Sequence, residues 1–433
     1  MDPILLVVLS IVGMFLLIIF NVPIGIAMST AGVIGFGLMT TFDAAFSVLA
    51  TENIRHLSSL DMAVIPLFLL MGNFANTAGI SSDIYNVADV FLGHRRGGLA
   101  MATVGACGVF GSVCGSSVAT AATFGRVALP EMIQRRYSPS LATGCIAAGG
   151  TLGGLIPPSV FLIVYAVIAQ EFIIELFLAA VFPGILTILL YFIATSIFVR
   201  LSPTAGPAGE RTNWPDRWRV LAKSWQAILL IGFIAIGIYG GIFTVSESAA
   251  FGAILAFLFA VLRGRMTFPL FWEALSGTAV TAGMIYIIIP GANVFNYLVV
   301  VSHIPEFLTE SIVSSGWQPY IVLPLILLLY IMMGSILESV AAMVLTLPFI
   351  LPLIVAMGYS PVWWGIVNIV VIEIGLITPP IGLNVFVIHG VAKEYPLKVI
   401  FKGILPFLGA NIISLVLIVV FPAISLWLPA LFK

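Results

Sequence analysis

One stretch that occurs twice, in a fixed register, constrains this chain more than any other feature. Residues 129–158 open with Leu129-Pro130, reach Tyr137-Ser138-Pro139 seven residues on, and end on Pro157-Pro158 inside GGTLGGLIPPS. Residues 351–380 repeat the plan with Leu351-Pro352, Tyr359-Ser360-Pro361 and Pro379-Pro380 inside IGLITPPIG, every pair separated by the same 222 positions. Ser117-Val118-Ala119 likewise falls on Ser339-Val340-Ala341, and Gly153 on Gly375. An offset held from position 117 to position 158 without insertion means one structural unit duplicated.

Composition says where such a unit can live. Of 433 residues 61% are hydrophobic and 8% charged, and the mean hydropathy is +1.20. No soluble fold of this length hides so much apolar surface. Apolar runs at 4–20, 177–199, 228–242 and 404–421 match a bilayer core, so the chain reads as an all-α, polytopic membrane protein. The first run lacks preceding basic residues and a following cleavage site, and is expected to remain as a span. A net charge of −1 gives nucleic acid nothing to bind. Cys107, Cys114 and Cys145 sit among apolar residues and read as buried free thiols. The four histidines (56, 94, 303 and 389) are not at metal-ligand spacing, and no P-loop lysine motif is present, so nothing points to an enzyme or to ATP hydrolysis.

Basic residues fix an orientation. All but Arg55 and Lys433 fall in or beside five connecting segments, which the positive-inside rule places in the cytoplasm. Both termini and residues 171–175 are then outside. Residues 1–60 supply two spans and an interfacial helix at 43–58, and residues 61–199 hold the first copy. In that copy, basic residues flank both ends of 98–130, around the tip GSVCGSS, which predicts a hairpin entering and leaving on the cytoplasmic side. The alternative is one long helix with a small-residue packing face. Residues 140–170 follow as a span interrupted from Gly149-Gly150 through Pro158, where glycine frees the backbone and proline removes a donor; a plain proline kink is the bland alternative.

Residues 200–278 comprise the polar loop 200–223, two linking spans and a surface helix around 267–277. Residues 279–433 hold the second copy: a span to about 301, an amphipathic stretch at 305–313, a hairpin at 319–357, a broken helix at 361–392 interrupted at Gly375 to Pro380, and a last span of about 404–427. No lysine or arginine occurs between Arg265 and Lys393, so the second hairpin enters from outside. Two copies in opposite orientation are an inverted repeat, the mark of a secondary transporter.

Two tips meeting two breaks near the midplane concentrate oxygen. Ser112, Ser116, Ser117 and Thr120 lie in the first copy; Ser335, Glu338, Ser339 and Thr378 lie in the second. Unwound carbonyls beside Gly153 and Gly375, with these hydroxyls, suit a hard monovalent cation, and half-helix N-termini favour an anion. That combination reads as sodium-coupled symport of an organic anion, although any one of these serines is as readily a packing residue. Glu338 is the sharpest residue, because a carboxylate in the membrane is costly and here replaces Ser116 of the first copy. Alternatively it is protonated, or its tip is wet. Glu373, just before the second break, is a weaker candidate and faces a polar partner in the bland reading. Arg126 on the first return arm either contacts an anionic substrate or snorkels to the cytoplasmic surface.

Nearly the whole chain resembles the large membrane subunit (DctM-type) of tripartite ATP-independent periplasmic (TRAP) transporters. The resemblance is carried by GSVCGSSVATAATFGRVALPEM from Gly111, YSPSLATGCIAAGGTLGGLIPPS from Tyr137 and IGLITPPIGLNVFV from Ile374. It implies an elevator-type transporter of the ion transporter superfamily kind, in the bacterial inner membrane, coupled to two or more Na+. It also implies two partners, a separate small four-helix membrane subunit and a periplasmic substrate-binding protein, and a small organic anion as cargo. The family's sodium positions map onto Ser112, Ser116, Ser117, Gly153, Ile156 and Pro157 in the first copy, and onto Gly334, Glu338, Ser339, Gly375, Thr378 and Pro379 in the second. Candidate substrate contacts are Ser116, Thr120, Arg126, Pro158, Pro380 and Asn384. A self-sufficient sodium:anion symporter without a binding protein, and a passive channel or structural membrane subunit, are the other readings of the same chain.

Overall fold

The computed structural model describes residues 3–307 and 318–432. Those residues form twenty helices and no strand, as expected where the bilayer offers the backbone no other partner. Six helices are long and apolar enough to cross a membrane, or up to nine spans result if each bent pair is one.

Helices α1 (Pro3–Ile19) and α2 (Ile24–Met39) precede α3 (Phe42–Leu57), which Thr41 caps by accepting from the Ala44 amide. Then come α4 (Leu60–Ala78), α5 (Ile80–Leu92), α6 (Gly98–Cys114), α7 (Ser117–Gln134), α8 (Pro139–Leu155) and α9 (Val160–Ala169). α10 (Ile173–Leu201), α11 (Trp214–Lys223), α12 (Trp225–Tyr239) and α13 (Val245–Leu262) lead to α14 (Phe268–Val301). The second copy continues with α15 (Pro319–Ile336), α16 (Ser339–Ala356), α17 (Pro361–Gly375), α18 (Leu383–Val391), α19 (Leu397–Val420) and α20 (Ala423–Leu431).

The repeated motif has a local meaning. Ser138 and Ser360 each cap the broken helix of their copy, accepting from the Leu141 and Trp363 amides, with Pro139 and Pro361 at the first helical position. Serine satisfies one orphan amide, and proline there loses none. Packing then depends on bare backbone. Gly25 lies against Ile287 and Gly32 against Phe295 where α2 crosses α14, and Gly144 lies against Gly403 where α8 crosses α19; at each, a Cβ would overlap backbone atoms. Such small-residue crossings are how membrane helices gain close van der Waals contact without a hydrophobic driving force. Around α8, helices α6, α7 and α19 form the central group. The connection after α10 is fastened beneath it: the Gly97 amide donates to Gly206 O at 2.9 Å, the Ser138 amide to Ala205 O at 2.8 Å and the Gly209 amide to Gly93 O at 3.0 Å.

Four expectations change. The interruption expected from Gly149-Gly150 onward is confined to residues 156–159, where α8 and α9 bend by 40°. Gly150 and Gly153 remain helical because their role is close approach: a Cβ at Gly150 would sit 2.7 Å from Ala121 Cβ, and one at Gly153 2.8 Å from Ser116 O. The surface helix at 267–277 and the span from 279 are one helix, α14, of 34 residues, so the boundary at 278 falls inside it. Pro290 lies buried within α14 without ending it. The polar loop 200–223 contains α11, whose Arg217 guanidinium lies 5.4 Å from the Phe91 ring and 5.0 Å from the Trp214 ring. The last span stops at Val420, and α20 follows as a separate helix. The expected amphipathic stretch at 305–313 lies outside the described residues from position 308 onward.

Candidate functional site

Each hairpin closes around its tip. In the first, Thr103 Oγ1 contacts Met132 Sδ at 3.6 Å and the Phe110 and Phe124 rings meet edge to face at 5.8 Å, partners lying at near-equal distances before and after Ser116-Ser117. In the second, Thr346 donates to the Tyr330 hydroxyl at 2.6 Å, again straddling the tip. Ser116 caps α7, its hydroxyl accepting from the Ala119 amide at 3.4 Å. Glu338, 222 positions on, caps α16, its Oε2 accepting from the Val340 and Ala341 amides at 3.0 and 3.3 Å. Serine and glutamate thus perform one backbone task, but only the glutamate brings a charge and a second oxygen, Oε1, that the two amides do not use. A carboxylate at a helix N-terminus is also favoured by the helix dipole.

Each tip is fastened to its break. The Val160 amide donates to Gly115 O at 3.3 Å, and the Gly382 amide to Ser335 O at 3.1 Å; Val160 and Gly382 are themselves 222 positions apart. Glycine contacts repeat the tie. A Cβ at Gly111 would stand 2.6 Å from Gly153 Cα, and one at Gly375 2.6 Å from the Gly334 carbonyl carbon. Both Pro-Pro bonds, 157–158 and 379–380, are cis. The structure therefore sets Ser112 beside Ile156 and Pro157, Ser116 against Gly153, and Gly334 against Gly375. Ser112 is half-buried with its hydroxyl on Val109 O at 2.7 Å, and Thr378 donates to Ile374 O at 2.6 Å. The donor set is hydroxyl, carbonyl and carboxylate oxygen, which fits a hard cation such as sodium and would suit a soft metal poorly.

The candidate substrate contacts do not all converge. Thr120 is fully buried and donates to Ser116 O at 2.7 Å, so it braces the tip. Asn384 is fully buried on α18, with Nδ2 on Ala147 O at 3.2 Å. Arg126 is exposed nine residues into the return helix, about 14 Å along it from Ser117 at 1.5 Å per residue. Pro158 is buried, whereas Pro380 is exposed. One link had no signature in either window: Glu373, buried on α17, accepts from the Ser117 hydroxyl at 2.6 Å and joins the two copies. A cavity of about 270 Å³ opens beside Ser112 and Ile156–Pro158, walled by Ile185, Ile188, Ile231, Ile234 and Ile238. Those walls offer an anion no partner.

A family model described as "Tripartite ATP-independent periplasmic transporter, DctM component" matches residues 11–424. The chain belongs to this TRAP transporter family. The permease is 32% identical to the C4-dicarboxylate TRAP transporter large permease protein DctM of Vibrio cholerae, over 98% of this chain and 97% of that one. It is 31% identical to the sialic acid TRAP transporter large permease protein SiaM of the same organism, over 98% of each. It is 30% identical to the isethionate TRAP transporter permease protein DctMQ of Oleidesulfovibrio alaskensis, over 95% of this chain and 64% of that protein. The crystal structure of the Alcanivorax borkumensis YdaH transporter shares its fold, with a TM-score of 0.63 at 14% identity over 88% of this chain and 89% of that one. The permease is a multi-pass membrane transport protein and not an enzyme.

Proposed function

We propose that the permease couples the entry of sodium to the uptake of a small organic anion, a carboxylate or sulfonate. Its partners in this reading are a small four-helix membrane subunit and a periplasmic binding protein that hands over the cargo. The termini lie on the periplasmic side, and both hairpins and both broken helices move together as an elevator against the remaining spans. The observation that carries this reading is the tie made twice, Gly115 to Val160 and Ser335 to Gly382, which sets two oxygen-rich tips beside two helix breaks in one protein. The cargo class is supported by relatives whose names give C4-dicarboxylate, sialic acid and isethionate.

Uptake into proteoliposomes tests the reading directly. With both partners present, accumulation should require a sodium gradient and vanish when potassium replaces sodium. Equal uptake without binding protein would favour a self-sufficient symporter, and flux without accumulation a passive channel.

A further inference from the structure

Glu373 stands two residues before the second break, yet its contacts belong to the first copy. Its side chain is 3% exposed. Oε1 accepts from the hydroxyl of Ser117, the first residue of α7 and the neighbour of the Ser116 cap. On α8, Gly154 leaves the room that this carboxylate occupies, since a Cβ there would overlap Glu373 Oε1 and stand 2.7 Å from Ser117 Oγ. Tip, broken helix and second copy thus converge on one acid.

That acid lacks compensation. Oε2 has no hydrogen-bond partner among the described residues, and no lysine, arginine or histidine there forms an ion pair with Glu373. The titratable groups that act on it or feel it are Glu338 and Tyr191, neither of them basic. An uncompensated buried charge costs several kcal/mol, and a cation beside it removes that cost. The first copy's own window, Ser112–Ser117 with Gly153–Pro157, contains no acid. At the position equivalent to Glu373 the first copy has Thr151, whose hydroxyl is spent on Ala148 O and the Tyr191 hydroxyl.

We infer that Glu373 supplies, across the repeat boundary, the negative charge of the first copy's cation site, so that each site has one carboxylate and both come from the second copy. This rests on the sodium-coupled reading above. Glu373 then acts as a countercharge held in place by Ser117, while carbonyl and hydroxyl oxygens of the first tip and break complete the shell.

The test uses the whole permease with its small subunit and binding protein, and reads two quantities: the sodium concentration for half-maximal uptake, and that for half-maximal thermal stabilisation of the purified protein by sodium. Glu373→Gln should raise both by about tenfold or more, what remains of one charge contact at an effective dielectric constant of about 20 once desolvation is subtracted. Ser117→Ala, which keeps the charge and removes its anchor, should shift both in the same direction by less. Gly154→Ala, whose methyl displaces the carboxylate, should do so even if the glutamine variant fails to fold. A folded Glu373→Gln protein with the sodium requirement of the wild type overturns the inference while leaving sodium coupling intact. Sodium-independent uptake by the wild type overturns the coupling, and the inference with it.

Discussion

Replacing Glu338 by serine would turn the second tip into a copy of the first. The cap should survive, because serine at position 116 already makes it and Glu338 uses only Oε2 for its two amides. Loss of the charge from the helix N-terminus costs about 0.3–1 kcal/mol, too little to unfold a domain. A cation about 4 Å from a carboxylate gains about 4 kcal/mol at an effective dielectric constant of about 20. Ions pay part of that back in desolvation, and a net of about 1.4–2.8 kcal/mol corresponds to about ten- to hundredfold in affinity. Glu338→Ser, and Glu338→Gln as the closer isostere, should therefore raise the half-maximal sodium concentration for uptake by that factor. Thermal stability without sodium should stay near that of the wild type. Uptake should be measured in proteoliposomes across a sodium titration with saturating loaded binding protein. If both variants fold and keep the wild-type sodium requirement, Glu338 is a helix cap and nothing more.

Other expectations follow from geometry. Gly153→Ala places a methyl 2.6 Å from Thr120 Oγ1 and 2.8 Å from Ser116 O; overpacking of this kind costs about 1–3 kcal/mol. Uptake and thermal midpoint should both fall, and an unchanged protein would show that the tip yields freely. A cysteine at position 210, in the segment fastened beneath α6 and α8, should not react with an impermeant reagent applied to intact cells; labelling there would invert the topology. Cysteine cross-links between the first tip and the break of the same copy should leave transport working, whereas links from the first tip to α2 should arrest it. The opposite pattern would argue for rocking about a fixed site.

The architecture was legible because proline and glycine punctuate it. Ser138-Pro139 and Ser360-Pro361 announce helix starts by chemistry that is local, and so does each Pro-Pro break. The glycines of α8 misled, because a missing Cβ permits two things, unwinding and close approach. Only the position of Ser116 and Ala121 across the contact decides between them. The continuity of α14 was hidden for another reason: a mixed-polarity stretch before an apolar run looks like two elements, yet one helix carries both from Phe268 to Val301. Glu373 was visible as an acid in an apolar run, yet its partner Ser117 lies 256 positions away. No local pattern encodes a contact of that range. Arg126 shows the converse, a charge in the right motif that the helix carries away from the tip.

The helix crossings built on glycine also say where the molecule has grip. At Gly144 against Gly403, and at Gly25 against Ile287, backbone is wedged on backbone, and one helix cannot travel along the other without forcing atoms through each other. The wall that α12 presents to α6 and α10 is of another kind, made of Ile231, Ile234 and Ile238 opposite Ile185 and Ile188, with open volume between them. Branched aliphatic chains on both sides have no directional bond to break and no notch to climb out of. Like a greased bearing next to a toothed gear, that face would resist a shift of its neighbour far less than the glycine crossings would.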